Sequence, residues 1–175
     1  MLKRGTIFLC SALLLSLLIA PMAIGAGESE YVLEKSFTSM TPIFMDGHAG
    51  DPAWIEGFII TGDIKLGGVK VGTLTSTARL FNPPVSLTER YDFGIIKIVN
   101  SIPVYGSFEI NGQFLSMGSS TSATSGDLTF SWIGSISNGT DGLSSMVGQA
   151  AGTAMGNMYT GIGTGKEIIL VRFAY

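Results

Sequence analysis

Beyond Gly27, apolar and polar residues alternate with a period of two over most of the chain, the pattern of half-buried strands rather than helices. Asp127 to Ile136 is the clearest stretch: Leu128, Phe130, Trp132 and Ile136 share one face, Thr129, Ser131 and Ser135 the other, and Ile133 breaks the rule. Glu167 to Tyr175 sets Ile169, Val171, Phe173 and Tyr175 opposite Ile168, Leu170, Arg172 and Ala174. Tyr91 to Val99 behaves similarly, with Tyr91, Phe93, Ile95 and Val99 opposite Asp92, Gly94, Ile96 and Ile98. Strands that are apolar on both faces fit a barrel wall with something packed outside it. Further strands are predicted at Tyr31 to Phe37, Trp54 to Ile64 and Val69 to Phe81. Asn82-Pro83-Pro84 ends the last of these, because consecutive prolines remove ladder donors. Asn111-Gly112, between Phe108-Glu109-Ile110 and Gln113-Phe114-Leu115, predicts a two-residue type I′ hairpin. Ser119 to Gly126 reads as a Ser/Thr/Gly loop. The sum is an all-β chain of about seven to nine strands, spaced as in an antiparallel barrel or sandwich.

One segment admits two conformations. From Ser144 to Tyr159, Gly148, Gly152 and Gly156 recur every four residues among Ala150, Ala151 and Ala154. On a helix they would form a smooth stripe for close packing; on a strand they would be small spacers, and glycine weakens a helix. A short Gly/Ala-rich helix or an irregular strand is therefore expected near residues 144–159, capping a barrel mouth.

The N-terminus follows a different pattern. Lys3 and Arg4 form a basic start, an apolar run extends from Thr6 to Ala20, and Pro21 precedes the small-residue stretch Ala23-Ile24-Gly25-Ala26. That is the layout of a secretory signal peptide over residues 1–26, leaving 27–175 as a single barrel domain that is secreted or periplasmic. The competing reading is an uncleaved anchor, since Ile7 to Ala26 just reaches the roughly 20 apolar residues that span a bilayer. Pro21 and the Ala-x-Gly before Ala26 favour cleavage. Cys10, the only cysteine, lies inside the apolar run beside bulky Leu9, so the mature domain has no disulfide and no thiolate chemistry.

Composition narrows the partners. The whole chain carries a net charge of −3, and loss of Lys3 and Arg4 makes it more negative. Without a basic cluster such a surface repels phosphate backbones, which excludes nucleic acid as a partner. All but two of the 24 glycines lie beyond Ala26, and the apolar content is too high for a solvated chain. Candidate chemistry is sparse. His48, in Asp46-Gly47-His48-Ala49-Gly50-Asp51, is read as part of a solvated turn, because the loop lacks the alternating oxygen ligands and terminal Glu of a calcium site. Neither a metal nor a cofactor is expected. With one histidine and no Gly-x-Ser-x-Gly elbow, a hydrolase triad is also excluded. Polar groups within an apolar barrel are the better place to look, since a carboxylate there has a raised pKa suited to proton transfer. Of Arg79, Glu89, Arg90, Tyr91, Asp92 and Glu109, all on or beside predicted strands, Arg79 and Tyr91 are the candidate ligand contacts. Glu109 is expected to point outward, because Phe108 and Ile110 claim the inner face. Asn138-Gly139-Thr140 is formally a glycosylation sequon.

The order of the Asn-Gly pair, Gly126-Asp127-Leu128-Thr129-Phe130, and Ile136-Ser137-Asn138-Gly139-Thr140-Asp141-Gly142 before a run of small residues resembles the secreted barrels of the allene oxide cyclase and dirigent type. The resemblance covers roughly residues 66 to 175. It implies an eight-stranded antiparallel barrel, frequently a homo-oligomeric trimer, enclosing an apolar cavity in which a small hydrophobic ligand is bound or cyclised. Asn138 stands where the first turn glycine would be, no aromatic closely follows Gly142, and no catalytic residue carries over.

Three functions stay open at this point. A secreted barrel binding or isomerising a small apolar molecule would hold a cavity of roughly several hundred Å³. An outer-membrane barrel would match the alternation that ends on aromatic Tyr175, although Trp54 and Trp132 mark no paired interface belts. A structural protein would pack its Gly/Ala stripe against a partner. Binding is favoured over catalysis.

Overall fold

The computed structural model describes residues 28–50, 54–81, 89–122, 125–157 and 160–173. Among them eight strands follow one another: β1 (Ser29–Phe44), β2 (Ile55–Leu66), β3 (Val69–Leu80), β4 (Glu89–Ile102), β5 (Gly106–Ser122), β6 (Ser125–Ser137), β7 (Met146–Asn157) and β8 (Gly163–Phe173). Each pairs antiparallel with its neighbours in sequence, and β1 pairs with β8, so the sheet closes into an up-and-down barrel. Among the described residues, closure leaves no unpaired strand edge for another chain to join. The expected all-β antiparallel barrel is the observed one. Residues 1–26, expected to be a signal peptide, Asn82-Pro83-Pro84 and Tyr175 lie outside the described residues.

Alternation explains the wall. Along β3, Leu74, Ser76, Ala78 and Leu80 are buried, whereas Thr73, Thr75 and Arg79 are exposed and Thr77 is half-buried between them. In β6, Leu128, Phe130, Trp132 and Ile136 point into the core and Ile133 stays outside, as its sequence position implies. In β4, Ile96 and Ile98 face inward, Phe93 and Ile95 outward. The inner residues of all eight strands form one apolar core. Each such side chain, fully buried, contributes roughly 1.5–3 kcal/mol relative to exposure.

Two local expectations are corrected. Asn111-Gly112 is not a hairpin turn, for β5 runs straight through it, with Asn111 opposite Lys97 and Ser135 and Gly112 opposite Ile96 and Gly134. A Cβ on Gly112 would lie 2.0 Å from the Ile133 carbonyl oxygen, so this glycine serves a close approach of β5 to β6 rather than a reversal. The Ser119 to Gly126 loop is also shorter than expected, since β5 extends to Ser122 and β6 begins at Ser125.

The ambiguous segment is a strand, β7, preceded by a single 3₁₀ turn at Asp141–Leu143. A spacing of four on a strand keeps one face, so Gly148 and Gly152 lie on the side of buried Ala150 and Ala154 and look into the barrel. The stripe therefore packs against the chain's own Trp132: a Cβ on Gly152 would sit 2.2 Å from the indole Cζ2. Gly148, Ala150, Gly152 and Ala154 thus face the barrel interior rather than the outer surface.

Candidate functional site

The barrel interior is apolar but holds a compact polar cluster. Lys35 lies on β1 between inward Leu33 and Phe37, and Glu167 lies on β8 two residues before inward Ile169, so strand parity carries both charges inside. Trp132 of β6 and Glu167 of β8 each stand opposite Gly152 of β7. With no side chain at Gly152, the indole extends across β7, and its Nε1–H donates to Glu167 Oε1 at 2.8 Å. Lys35 Nζ lies 2.8 Å from Glu167 Oε2 and 5.4 Å from the centre of the Trp132 ring, within cation–π range. Burial pulls the Lys35 ammonium below its ordinary pKa, against the opposing attraction of Glu167.

Beside this cluster lies a cavity of about 20 Å³ lined by Lys35, Ser76, Trp132, Phe37, Ile60 and Phe130 among others. That is room for one water molecule, and the Ser76 hydroxyl, which has no protein partner among the described residues, borders it. Asn100 is also fully buried, and neither end of its amide has a partner there. Where a lumenal cavity of several hundred Å³ was expected, the described side chains around the Lys35–Glu167 pair are packed together. A substrate reaching the Lys35–Glu167 pair would have to displace them.

Open room lies on the outer wall instead. A shallow groove of about 240 Å³ crosses β4, β5 and β6, lined by Phe93, Gln113, Leu115, Ser131 and Ile133 together with Phe114 and Trp132. Pairing explains its floor: Phe93 stands opposite Leu115, Gln113 opposite Ile133, and Leu115 opposite Ser131. Exposed Phe81 meets Phe93 edge-on with ring centres 5.4 Å apart. Ile95, exposed beside Gln113, extends the apolar surface.

The residues named from sequence are dispersed. Arg79 faces outward and pairs with Glu56, so it does not reach the lumen in which a ligand contact was expected. Tyr91 pairs with Met117 in the β4–β5 ladder, and its side chain, like those of Glu89, Arg90 and Asp92, lies outside the described residues. Glu109 points outward as expected, 2.7 Å from Lys97 Nζ and accepting from Asn138 Nδ2 at 2.7 Å. These donors, Lys97 first, hold its carboxyl below the usual range. The His48 ring stacks on Trp54 with centres 4.0 Å apart, and Asp51 lies outside the described residues. Lys35, Glu167 and Ser76 were missed from sequence. Their signal was parity alone: Lys35 falls two residues from both Leu33 and Phe37, and Glu167 shares the face of Ile169 and Val171.

Compared with protein-family models, curated proteins and solved structures, the chain matches none.

Proposed function

We propose that the chain is an exported, non-catalytic β-barrel that binds a small apolar group on its outer wall, in the groove across β4, β5 and β6. One observation carries this reading: a groove of about 240 Å³ opens over Phe93, Leu115 and Ile133, whereas the cavity beside Lys35 and Ser76 holds about 20 Å³. An apolar lining with a few polar groups is what small-molecule sites share, and Gln113 and Ser131 supply the polar groups. Contiguous exposed apolar surface, here continued by Phe81 and Ile95, marks interaction sites on monomers.

The basic start, apolar run and small-residue end of residues 1–26 support export. The resemblance to cyclase and dirigent-type barrels enters through the eight-stranded wall. Their lumenal ligand site is the competing location, and the small size of the cavity beside Lys35 favours the wall over it. Polar groups elsewhere on the outer surface support a barrel standing in water. Thr73, Thr75 and Thr77 point outward on β3, and the ion pairs Lys70–Asp63, Arg79–Glu56 and Lys97–Glu109 lie outside. A lipid-facing wall would instead bear an apolar band about 25 Å tall.

The test is titration of the purified chain with an anilinonaphthalene sulfonate dye, following isoleucine methyl resonances. Shifts should concentrate at Ile95 and Ile133, and Ile133→Glu should weaken binding about tenfold or more, given what burying such a side chain contributes. Shifts confined to lumenal Ile60 and Ile96 would move the site inside and sink the wall reading. Competition between dye and self-association would identify a second copy of the chain as the occupant.

A further inference from the structure

The chain contains two Asn-Gly pairs, Asn111-Gly112 within β5 and Asn138-Gly139 in the β6–β7 connection. Both asparagines are exposed, so what separates them is the backbone that holds them. Asn111 stands opposite Lys97 on one side and Ser135 on the other, and Gly112 opposite Ile96 and Gly134. In the middle of such a ladder the Gly112 N–H is committed to a neighbouring strand. Asn111 Nδ2 also donates to Ser137 Oγ at 3.3 Å.

Asn138-Gly139 lies beyond the ladder. The end of β6 sets Ser137 opposite Glu109, and the next tie to β5 is at Thr140. Thr140 N–H donates to the Ser107 carbonyl at 2.9 Å, and Thr140 Oγ1 accepts from Ser107 N–H at 3.0 Å. Between these ties Asn138 and Gly139 stand against the single residue Phe108, the two-against-one count of a β-bulge. Among the described residues no backbone carbonyl accepts from the Gly139 N–H.

The fold requires both residue types at this bulge. Asn138 has φ of 52°, a left-handed conformation that asparagine adopts more readily than most residues with a side chain. A Cβ on residue 139 would overlap the Leu143 carbonyl oxygen, so the position takes glycine. Glycine after asparagine has a chemical consequence: no side chain shields its nitrogen from the amide carbon of the residue before it.

We propose that Asn138 is a site of spontaneous deamidation, converted through the Gly139 nitrogen to aspartate and isoaspartate, whereas Asn111 is preserved by its ladder. The Gly139 nitrogen gives up its proton to water and bonds to Asn138 Cγ. The Cγ–Nδ2 bond breaks, Nδ2 takes a proton from water and leaves as ammonia, and a succinimide ring remains. Water then opens the ring at Cγ to give aspartate, or at the main-chain carbonyl to give isoaspartate, whose backbone runs through Cγ. Asn138 Nδ2 now donates to Glu109 Oε2 at 2.7 Å, and a carboxylate at 138 puts a like charge where that donor stood. The tie between the β6–β7 connection and β5 becomes a repulsion. The proposal is independent of the groove on the wall and of export.

The test ages the purified chain at neutral pH and physiological temperature, digests it at intervals, and quantifies the peptides carrying residues 111 and 138 by mass spectrometry, with isoaspartate marked by isoaspartyl methyltransferase. Position 138 should convert about tenfold or more faster than position 111, because the ladder must open before Gly112 is released. In denaturant, where no ladder protects Asn111, the two rates should converge. Asn138→Gly, which suits the left-handed conformation, should remove isoaspartate from the connection and leave conversion at 111 unchanged. Asn138→Asp, the aged form, should lower the unfolding temperature, and the loss should shrink in the Glu109→Gln background, where the repulsion is gone. Equal rates at the two positions in the folded chain, or faster conversion at 111, overturns the proposal. So does a folded chain in which Asn138 keeps its amide while the unfolded chain loses it.

Discussion

The barrel carries two lysine–glutamate pairs of nearly equal length in opposite surroundings. Lys35 and Glu167 meet at 2.8 Å inside the lumen, and Lys97 and Glu109 meet at 2.7 Å on the outer wall. The inner side chains are 1% and 0% exposed, whereas Lys97 is about half exposed. Coulomb attraction at such distances is strong only where water is excluded, and exclusion itself costs several kcal/mol per ion. The inner pair is therefore a commitment of the fold: each charge requires the other, and Trp132 holds the carboxylate in place. The outer pair is replaceable, screened by salt and offset by the entropy of ordering a long side chain.

The largest expected effect follows from removing one inner partner. Lys35→Met leaves Glu167 buried with only the Trp132 N–H donated to it, and such orphaned charges typically cost about 3–5 kcal/mol. Replacing both residues, Lys35→Met with Glu167→Leu, should recover part of that loss, because no unpaired charge remains although the Trp132 N–H loses its acceptor. Denaturant unfolding of the native chain, the single variant and the double variant measures this. A single variant as stable as the native chain would mean that water reaches the pair, and the contrast between lumen and wall would collapse.

A smaller effect tests the geometry that brings the pair together. Gly152 gives the indole its passage across β7, and a Cβ there would lie 2.2 Å from Trp132 Cζ2. Gly152→Ala should therefore push Trp132 off its hydrogen bond to Glu167 and destabilise by about 1–3 kcal/mol, as overpacking does. Trp132 fluorescence should change in the folded state. Gly152→Ala with Trp132→Phe should be less damaging than the sum of its parts, since the shortened ring no longer meets the new methyl. Additivity of the two changes would show that the glycine is not there for the indole.

Sequence periodicity and structure agree where a strand has one clear burial pattern. Leu128, Phe130, Trp132 and Ile136 marked the inner face of β6 by alternation alone, whereas counting such stretches yields seven to nine strands and does not decide between closed barrel and sandwich, a choice made by the β1–β8 pairing. Disagreement arises where one residue type serves two geometries. Asn111-Gly112 carries turn chemistry, yet Gly112 is consumed by strand proximity, a tertiary demand that local pattern does not encode. The β7 glycines suited helix packing and strand spacing alike until Trp132 on β6 supplied the reason for their size. Candidate sites were less legible than the fold. Lys35 and Glu167 obeyed the parity that placed their apolar neighbours inside, but charge on an inner face is read as error unless its partner is known, and that partner is about 130 residues away across the β1–β8 closure. The groove on the wall depends on cross-strand register, which sets Phe93 beside Leu115 and Gln113 beside Ile133 and cannot be read from either strand alone.

The smallest effect belongs to the outer pair and sharpens the comparison through pH. Glu109 is held below the ordinary glutamate pKa of 4.5 by hydrogen bonds from Lys97 first and Asn138 second. A carboxyl whose folded pKa is depressed stabilises the fold while it is ionised, above the unfolded value, and that contribution fades as pH falls through the folded value. Exposure of Lys97 limits the contribution to about 0.2–1 kcal/mol. The stability difference between the native chain and Glu109→Gln should therefore be small at neutral pH, shrink in acid below pH 4.5, and shrink again with added salt. Unfolding free energies of the two chains from pH 7 to pH 3, at low and high ionic strength, measure it. The inner pair, screened from salt by the core, should show no such ionic-strength dependence in the Lys35→Met comparison. An outer difference as large and as salt-insensitive as the inner one would mean that the wall at Glu109 is covered from water, as it would be in an oligomer of the barrel.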